Sequence, residues 1–223
     1  TRGPVAPAAI VANFNDGNDT GAGGSAAPSV DSFPGAVGGG WMSAWTTFTS
    51  EVNFVAGVQD TTPLADGGNY LNIQHTVVAG KSTGAGGVHR RYSLNAADGG
   101  IDPTKAHTIS WKFRLNSPAS SRSANDSNDQ IVFVDNLSNY TGGAQTWAIL
   151  AQGGTNSGRF TFVNGTGDGN WTGVDTGIAL ANDKVYDIKV TIHPGATGAQ
   201  TFWDATISDG TNSFTETGMQ FRS

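Results

Sequence analysis

Carboxylates and histidines are the side chains of this sequence that could carry out acid–base chemistry. Glu51 and Glu216 are the two glutamates among 18 acidic residues, and they stand far apart, whereas a glycosidase needs two carboxylates flanking the scissile bond. The remaining acids are aspartates, most of them in segments rich in Asn and Gly, where Asp is commonly a turn residue. The histidines, at positions 75, 89, 107 and 193, lack the His-x-x-x-His spacing of a zinc helix. We therefore predict no catalytic residues.

A calcium site is the better prediction for the acidic residues. The segment Asp16-Gly-Asn18-Asp19-Thr brings two carboxylates and an amide into one turn, and hard oxygen ligands of this kind are those that Ca²⁺ prefers. The segment is no EF-hand loop, because the bidentate Glu at the twelfth position is missing. We predict a structural Ca²⁺ held by Asp16, Asn18 and Asp19, with an ordinary Asx turn as the alternative.

Aromatic and polar side chains suitable for sugar binding form a third group. Aromatic rings stack on sugar faces, while charged and amide groups bind hydroxyls. Trp171 is flanked by Gly, Asn and Thr, which favours exposure, and Trp41 and Trp45 have the spacing that places two rings on one side of a strand. The predicted carbohydrate-binding residues are His89, Arg91, Lys112, Arg114, Trp147 and Trp171. If they share one concave sheet, they form a mildly basic groove suited to an acidic or sulfated glycan; the alternative is an ordinary solvated sheet face.

The elements that position these residues are predicted to be short strands. Residues 107–115 alternate Ile109, Trp111 and Phe113 with polar residues, and residues 184–193 alternate in the same way, which is the period of a strand with one buried face. Residues 130–137 and 146–151 are apolar on both faces, so we expect them at the centre of a sheet or under covering loops. Further strands are predicted at 8–15, 40–48, 69–78, 87–94, 159–163, 201–208 and 219–222.

Composition limits the class of protein. Gly accounts for 32 of 223 residues and charged residues for 13%, which excludes helical bundles and coiled coils. The net charge of −6 with scattered Lys and Arg argues against nucleic acid as a partner, and no apolar run reaches membrane-spanning length. The chain has no cysteine, so disulfides and thiolate chemistry are absent. We predict one all-β domain over residues 1–223 that is secreted or on the cell surface.

Four segments carry a family resemblance. Residues 8–15 (AAIVANFN), 107–114 (HTISWKFR), 130–135 (QIVFVD) and 185–192 (VYDIKVTI) resemble strands of the concanavalin A-like, laminin G-like jelly rolls of secreted bacterial proteins, especially modules of proteins with a C-terminal sorting signal. The resemblance implies a jelly-roll sandwich of two antiparallel sheets, a structural calcium, and carbohydrate binding, lyase or glycosidase activity, or adhesion. It also implies a last strand beside the first, which we expect to be missing here or to come from another chain.

Three functions compete at this level. The favoured one is an extracellular, lectin-like module that binds a polysaccharide and has no catalytic activity. The second is a polysaccharide lyase, because residues 89–92 (HRRY), 130–132 (QIV) and 186–189 (YDIK) are similar in part to the strands of jelly-roll alginate lyases, with Val132 where that family has His. The third is a structural or adhesive matrix protein that self-associates through an open sheet edge.

Overall fold

The computed structural model of the chain describes residues 9–17, 29–60, 64, 68–81, 84–115, 130–136, 145–152, 158–167, 169–195 and 200–222. Strands dominate this part of the chain, and its one helical element is a 3₁₀ turn at Ala96–Asp98, which confirms the all-β prediction. The chain divides into two compact units, Thr1–Asp102 and Pro103–Ser223. The single domain inferred from composition stays a prediction, and each unit is described by itself.

The N-terminal unit contains two small antiparallel sheets. Strand β1 (Thr46–Ser50) pairs with β4 (Ala85–His89), and β2 (Val52–Gln59) pairs with β3 (Tyr70–Val77). The sheets touch through Gly86 of β4, where a Cβ atom would lie 2.6 Å from the ring of Phe54 in β2. Residues 8–15 were predicted as a strand, but the described residues 9–15 form none. Phe14 has a φ of 58°, which breaks the extended backbone, so this part of the prediction is wrong.

The C-terminal unit is a sandwich of two four-stranded sheets. The strands are β5 (His107–Arg114), β6 (Gln130–Asn136), β7 (Gln145–Gln152), β8 (Arg159–Gly165), β9 (Trp171–Ala179), β10 (Val185–Pro194), β11 (Gln200–Ser208) and β12 (Ser213–Met219). One sheet has the order β12-β11-β10-β5 and the other has the order β6-β7-β8-β9, and all their strand pairs are antiparallel. This arrangement confirms the predicted sandwich and is consistent with a jelly roll.

Aromatic and β-branched side chains from both sheets fill the space between them. Tyr186 of β10 contacts Phe160 of β8 at a centroid distance of 4.8 Å, and Trp203 of β11 lies 6.2 Å from Phe162. These four residues are fully buried. The predicted alternation along β10 is confirmed, because residues 186, 188, 190 and 192 face this core and residues 187 and 189 are exposed.

The two strands with apolar residues on both faces behave differently. Strand β7 lies between β6 and β8, and its residues 146–151 are buried on both faces, as predicted. Strand β6 is instead an edge strand of its sheet as far as the structure describes it, and its Val132 is 42% exposed. A run that is apolar on both faces therefore does not by itself identify a central strand.

The residues after β12 close one end of the sandwich. The backbone carbonyl of Gln220 accepts a hydrogen bond from the Gly165 amide of β8 at 3.0 Å. The Arg222 amide donates to the backbone carbonyl of Thr146 in β7 at 3.1 Å. The segment lies so close to β8 that a Cβ atom on Gly165 would be 2.2 Å from the carbonyl oxygen of Phe221. Residues 219–222 were predicted as a strand, whereas the strand is β12 and residues 220–222 link the two sheets without strand structure.

Candidate functional site

The outer face of the sheet β12-β11-β10-β5 carries polar residues in cross-strand rows. Lys189 of β10 is opposite Ser110 of β5 on one side and Thr206 of β11 on the other. In the next row, Asp187 lies between Lys112 and Ser208. Neighbouring positions in such rows have Cβ atoms about 5 Å apart, so these side chains form a continuous hydrogen-bonding surface.

The two rows line an open depression on the face of the sheet. Its volume is about 470 Å³, and it lies entirely in the C-terminal unit. Trp111 and Ile188 contribute to its lining, and the polar residues that line it are Ser110, Lys112, Asp187, Lys189, Thr206 and Ser208. This set holds two ammonium donors, one carboxylate acceptor and three hydroxyls, and a hydroxyl both donates and accepts.

Ion pairs compensate two of the cations on this face. Lys112 donates to Asp187 across the strands at 2.5 Å, and Arg114 donates to Asp183 at 2.8 Å. Lys112 and Arg114 therefore lie on the polar face that the sequence predicts for them. Their positive charge is largely offset, so the face is less basic than the count of Lys and Arg suggests.

A histidine, a carboxylate and an aromatic ring stand at one end of this sheet. His193 Nε2 is 2.7 Å from Asp204 Oδ2, and the imidazole stacks on Phe202 with a centroid distance of 4.5 Å. The second oxygen of Asp204 accepts a hydrogen bond from the Gly218 amide. The group links β10, β11 and β12 and places two stacked rings at this end of the sheet.

Trp171 is exposed as predicted, but it lies on the other sheet. It begins β9, pairs with Gly165 of β8 and is 39% exposed. Its ring lies beside Gly173, on the face opposite to Val174, which packs in the core. The outer faces of the two sheets are opposite surfaces of the sandwich, so one ligand in the depression does not reach Trp171.

Trp147 is a core residue, which corrects its assignment to a sugar-binding surface. It is 4% exposed and lies between the rings of Trp111 and Trp203, at centroid distances of 5.9 and 6.2 Å. A sugar stacks only on a ring face that solvent can reach. The sequence prediction failed because β7 buries both of its faces, so alternation did not show which tryptophan is accessible.

His89 and Arg91 belong to the N-terminal unit. His89 ends β4 opposite Thr46, and Arg91 follows on an exposed position. Burial, followed by the neighbouring Arg91 guanidinium, lowers the pKa of His89 below its ordinary value. The imidazole is therefore neutral at pH 7 and offers hydrogen bonds without a charge.

Arg90, which the site prediction omitted, is the anchored arginine of this segment. Its Nε donates to the Ser43 carbonyl at 2.9 Å, and its guanidinium carbon lies 4.6 Å from the ring centre of Trp41. Trp45 is 6.1 Å from Trp41, so the two rings share a side, as their spacing predicts. Partial burial of both rings and the contacts of Arg90 indicate a structural cluster.

The predicted calcium ligands are described only in part. Asn18 and Asp19 lie outside the described residues. The Asp16 carboxylate accepts a hydrogen bond from the Ser29 hydroxyl. No group of three His, Asp or Glu side chains suited to a metal ion occurs in the ranges that the structure describes, and calcium binding stays a prediction.

Two of the segments similar to alginate lyases, residues 130–132 and 186–189, do not converge within the C-terminal unit. Tyr186 is fully buried, and its hydroxyl donates to Ala179 O and accepts from the Ala181 amide, both at 2.7 Å. Burial is also the main cause that raises its pKa, so it is no proton acceptor for a surface substrate. Lys189 points outward from one sheet and Val132 from the other, while residues 89–92 belong to the N-terminal unit.

Sequence reasoning missed Ser110, Asp187, Lys189, Thr206 and Ser208 as site residues. Alternation already placed most of them on polar faces, but only the strand order shows that β5, β10 and β11 are neighbours.

Within the described residues no helix is long and apolar enough to cross a membrane. The chain matches no family model, no curated protein and no solved structure, and the concanavalin A-like resemblance stays a prediction.

Proposed function

We propose that this protein is a lectin-like module that binds a polysaccharide at the depression on β5, β10 and β11. The observation that supports the proposal is the set of polar side chains in the depression, where Lys112, Asp187 and Lys189 stand among the hydroxyls of Ser110, Thr206 and Ser208. Sugar hydroxyls require donors and acceptors in close alternation, and this lining supplies both.

The form of the depression favours a polymer over a small molecule. Small-molecule sites are concave and enclose most of the ligand, whereas this depression lies open on the face of a sheet. A polysaccharide chain gains affinity by contacting successive rows of such a face. Aromatic stacking is available at the sheet end, on the paired rings of His193 and Phe202.

The test compares two aspartates of equal charge. Asp187→Asn removes the carboxylate that accepts hydrogen bonds in the depression, and Asp183→Asn removes a carboxylate that pairs with Arg114 outside it. We expect Asp187→Asn to weaken binding to glycan hydroxyls about ten- to a hundredfold, because a charged hydrogen bond contributes about 1.5–3 kcal/mol.

The measurement is isothermal titration with polysaccharides selected by a glycan array. Asp183→Asn should bind like the wild type. Equal affinities for all three proteins would place the glycan elsewhere, and a wild type that binds no polysaccharide would refute the proposed function.

A further inference from the structure

We infer that Lys189 binds an acidic substituent, a carboxylate or a sulfate, of the glycan that occupies the depression. This inference rests on the proposed function and specifies the class of glycan. It depends on three observations in the C-terminal unit: the position of Lys189 between hydroxyl groups, the engagement of the neighbouring cations, and the engagement of the neighbouring acids.

Lys189 is the central residue of its cross-strand row. Its side chain is exposed in the middle of β10, with Ser110 on one neighbouring strand and Thr206 on the other. The Thr206 hydroxyl is 2.9 Å from the hydroxyl of Thr215 on β12, whereas the Ser110 hydroxyl has no hydrogen-bond partner in the described part of the chain. An ammonium group flanked by hydroxyl donors is a suitable environment for an anionic oxygen.

The other cations of this face already have carboxylate partners. Lys112 is paired with Asp187 and Arg114 with Asp183, while none of the ion pairs formed among the described residues includes Lys189. Lys189 is therefore the cation in the depression that an incoming anion can approach without displacing a carboxylate.

The two acids closest to Lys189 in the strand register are also engaged. The Asp187 carboxylate accepts a hydrogen bond from the Lys112 ammonium. The Asp204 carboxylate accepts a hydrogen bond from the Gly218 amide, and its other oxygen is within hydrogen-bond distance of His193 Nε2. The whole chain carries a net charge of −6, which repels polyanions at long range. Binding of an acidic glycan must therefore come from a local contact, and Lys189 supplies it.

The experiment uses polymers that differ only in their acidic groups. Dextran sulfate is compared with dextran, and polygalacturonate with its methyl ester, against the wild-type chain and against Lys189→Met. Lys105→Met removes the same charge at an exposed position outside the depression and is the control. Circular dichroism and thermal melting confirm that each variant is folded.

We expect the wild type to prefer at least one acidic polymer over its neutral counterpart, and the pair that shows the preference identifies the carboxylate or the sulfate. Lys189→Met should lose about ten- to a hundredfold in affinity for that polymer, Lys189→Arg should retain most of it, and Lys105→Met should change nothing. The acidic polymer should also bind more weakly as the salt concentration rises.

Two other results would overturn the inference and are distinguishable. If the wild type binds neutral polymers equally well and Asp187→Asn impairs this binding, the module function stands and the role of Lys189 is refuted. If no polymer binds at all, the proposed function fails together with the inference. An equal loss in Lys189→Met and Lys105→Met would indicate an effect of overall charge and refute the specific contact.

Discussion

The carboxylate of Asp209 accepts hydrogen bonds from the backbone amides of Asn212 and Thr211 and from the Lys184 ammonium. These donors, with the Asn212 amide contributing most, hold the pKa of Asp209 well below its usual range. They also fix the turn that joins β11 to β12. The charged form is thus part of the folded structure at this turn, which makes stability depend on pH.

We expect Asp209→Asn to be less stable than the wild type at pH 7, and the difference to shrink in acid. A carboxyl group with a lowered pKa stabilises the fold above its unfolded pKa of about 3.9, and the effect is lost as pH falls through the folded pKa. Urea midpoints at pH 7, 4 and 2.5 measure this, with the exposed Asp183→Asn as the control. A stability difference that stays constant with pH would contradict the explanation.

The tryptophans of the C-terminal unit have separable roles. Trp147→Ala should destabilise the unit by about 3–5 kcal/mol, because it leaves a cavity in a packed core. Trp171→Ala, at an exposed position, should cost about 1 kcal/mol or less and should leave glycan affinity unchanged. Chemical denaturation and titration of both variants give these values. Loss of glycan binding in a folded Trp171→Ala variant would indicate that the glycan binds on the outer face of β9.

At the scale of elements, strand β10 connects the core to the proposed site. It pairs with both β5 and β11, and its residues alternate between the buried Tyr186 and Ile188 and the exposed Asp187 and Lys189. A slip of one residue would exchange the two sets. The core contacts of β10 therefore fix the register that aligns Lys189 with Ser110 and Thr206.

The junction between β8 and the C-terminal segment gives a prediction at this scale. Gly165→Ala should lower the melting temperature, because the added methyl would meet the Phe221 backbone and displace residues 220–222 from the end of the sandwich. Gly167→Ala is the control, since its methyl would meet open space. Only the φ of 78° is unfavourable for alanine there, which should lower the free energy of unfolding by about 1–2 kcal/mol. Thermal melts of both variants test this prediction. Equal decreases in melting temperature would mean that the junction is not sterically tight.

From the sequence, the buried and exposed faces of a strand could be predicted more reliably than its neighbouring strands in the sheet. Period-two alternation in β5 and β10 identified which side chains are polar and outward, because the pleat forces this alternation. Strand β9 was not predicted, since Gly173 and Gly177 interrupt its apolar pattern. The site required the order β11-β10-β5, which long-range pairing determines and local sequence does not encode.

At the scale of the whole molecule, the predicted site residues are divided among different places. Lys112 and Arg114 lie on one outer face of the sandwich, Trp171 on the opposite one and Trp147 between the sheets, while His89 and Arg91 belong to the N-terminal unit. The proposed function therefore depends on one face of one unit. Self-association through a sheet edge, the basis of the structural alternative, stays a prediction.

The contacts of Trp147 with Trp111 and Trp203 have an optical consequence. The three indoles form a row through the core with successive centroid separations of 5.9 and 6.2 Å. Transition dipoles this close couple, so the row should give an excitonic band in the far-ultraviolet circular dichroism spectrum, where the indole absorption is intense, and should transfer excitation energy along it. Because Trp111 is on β5, Trp147 on β7 and Trp203 on β11, that band reports directly on whether the two sheets are closed against each other.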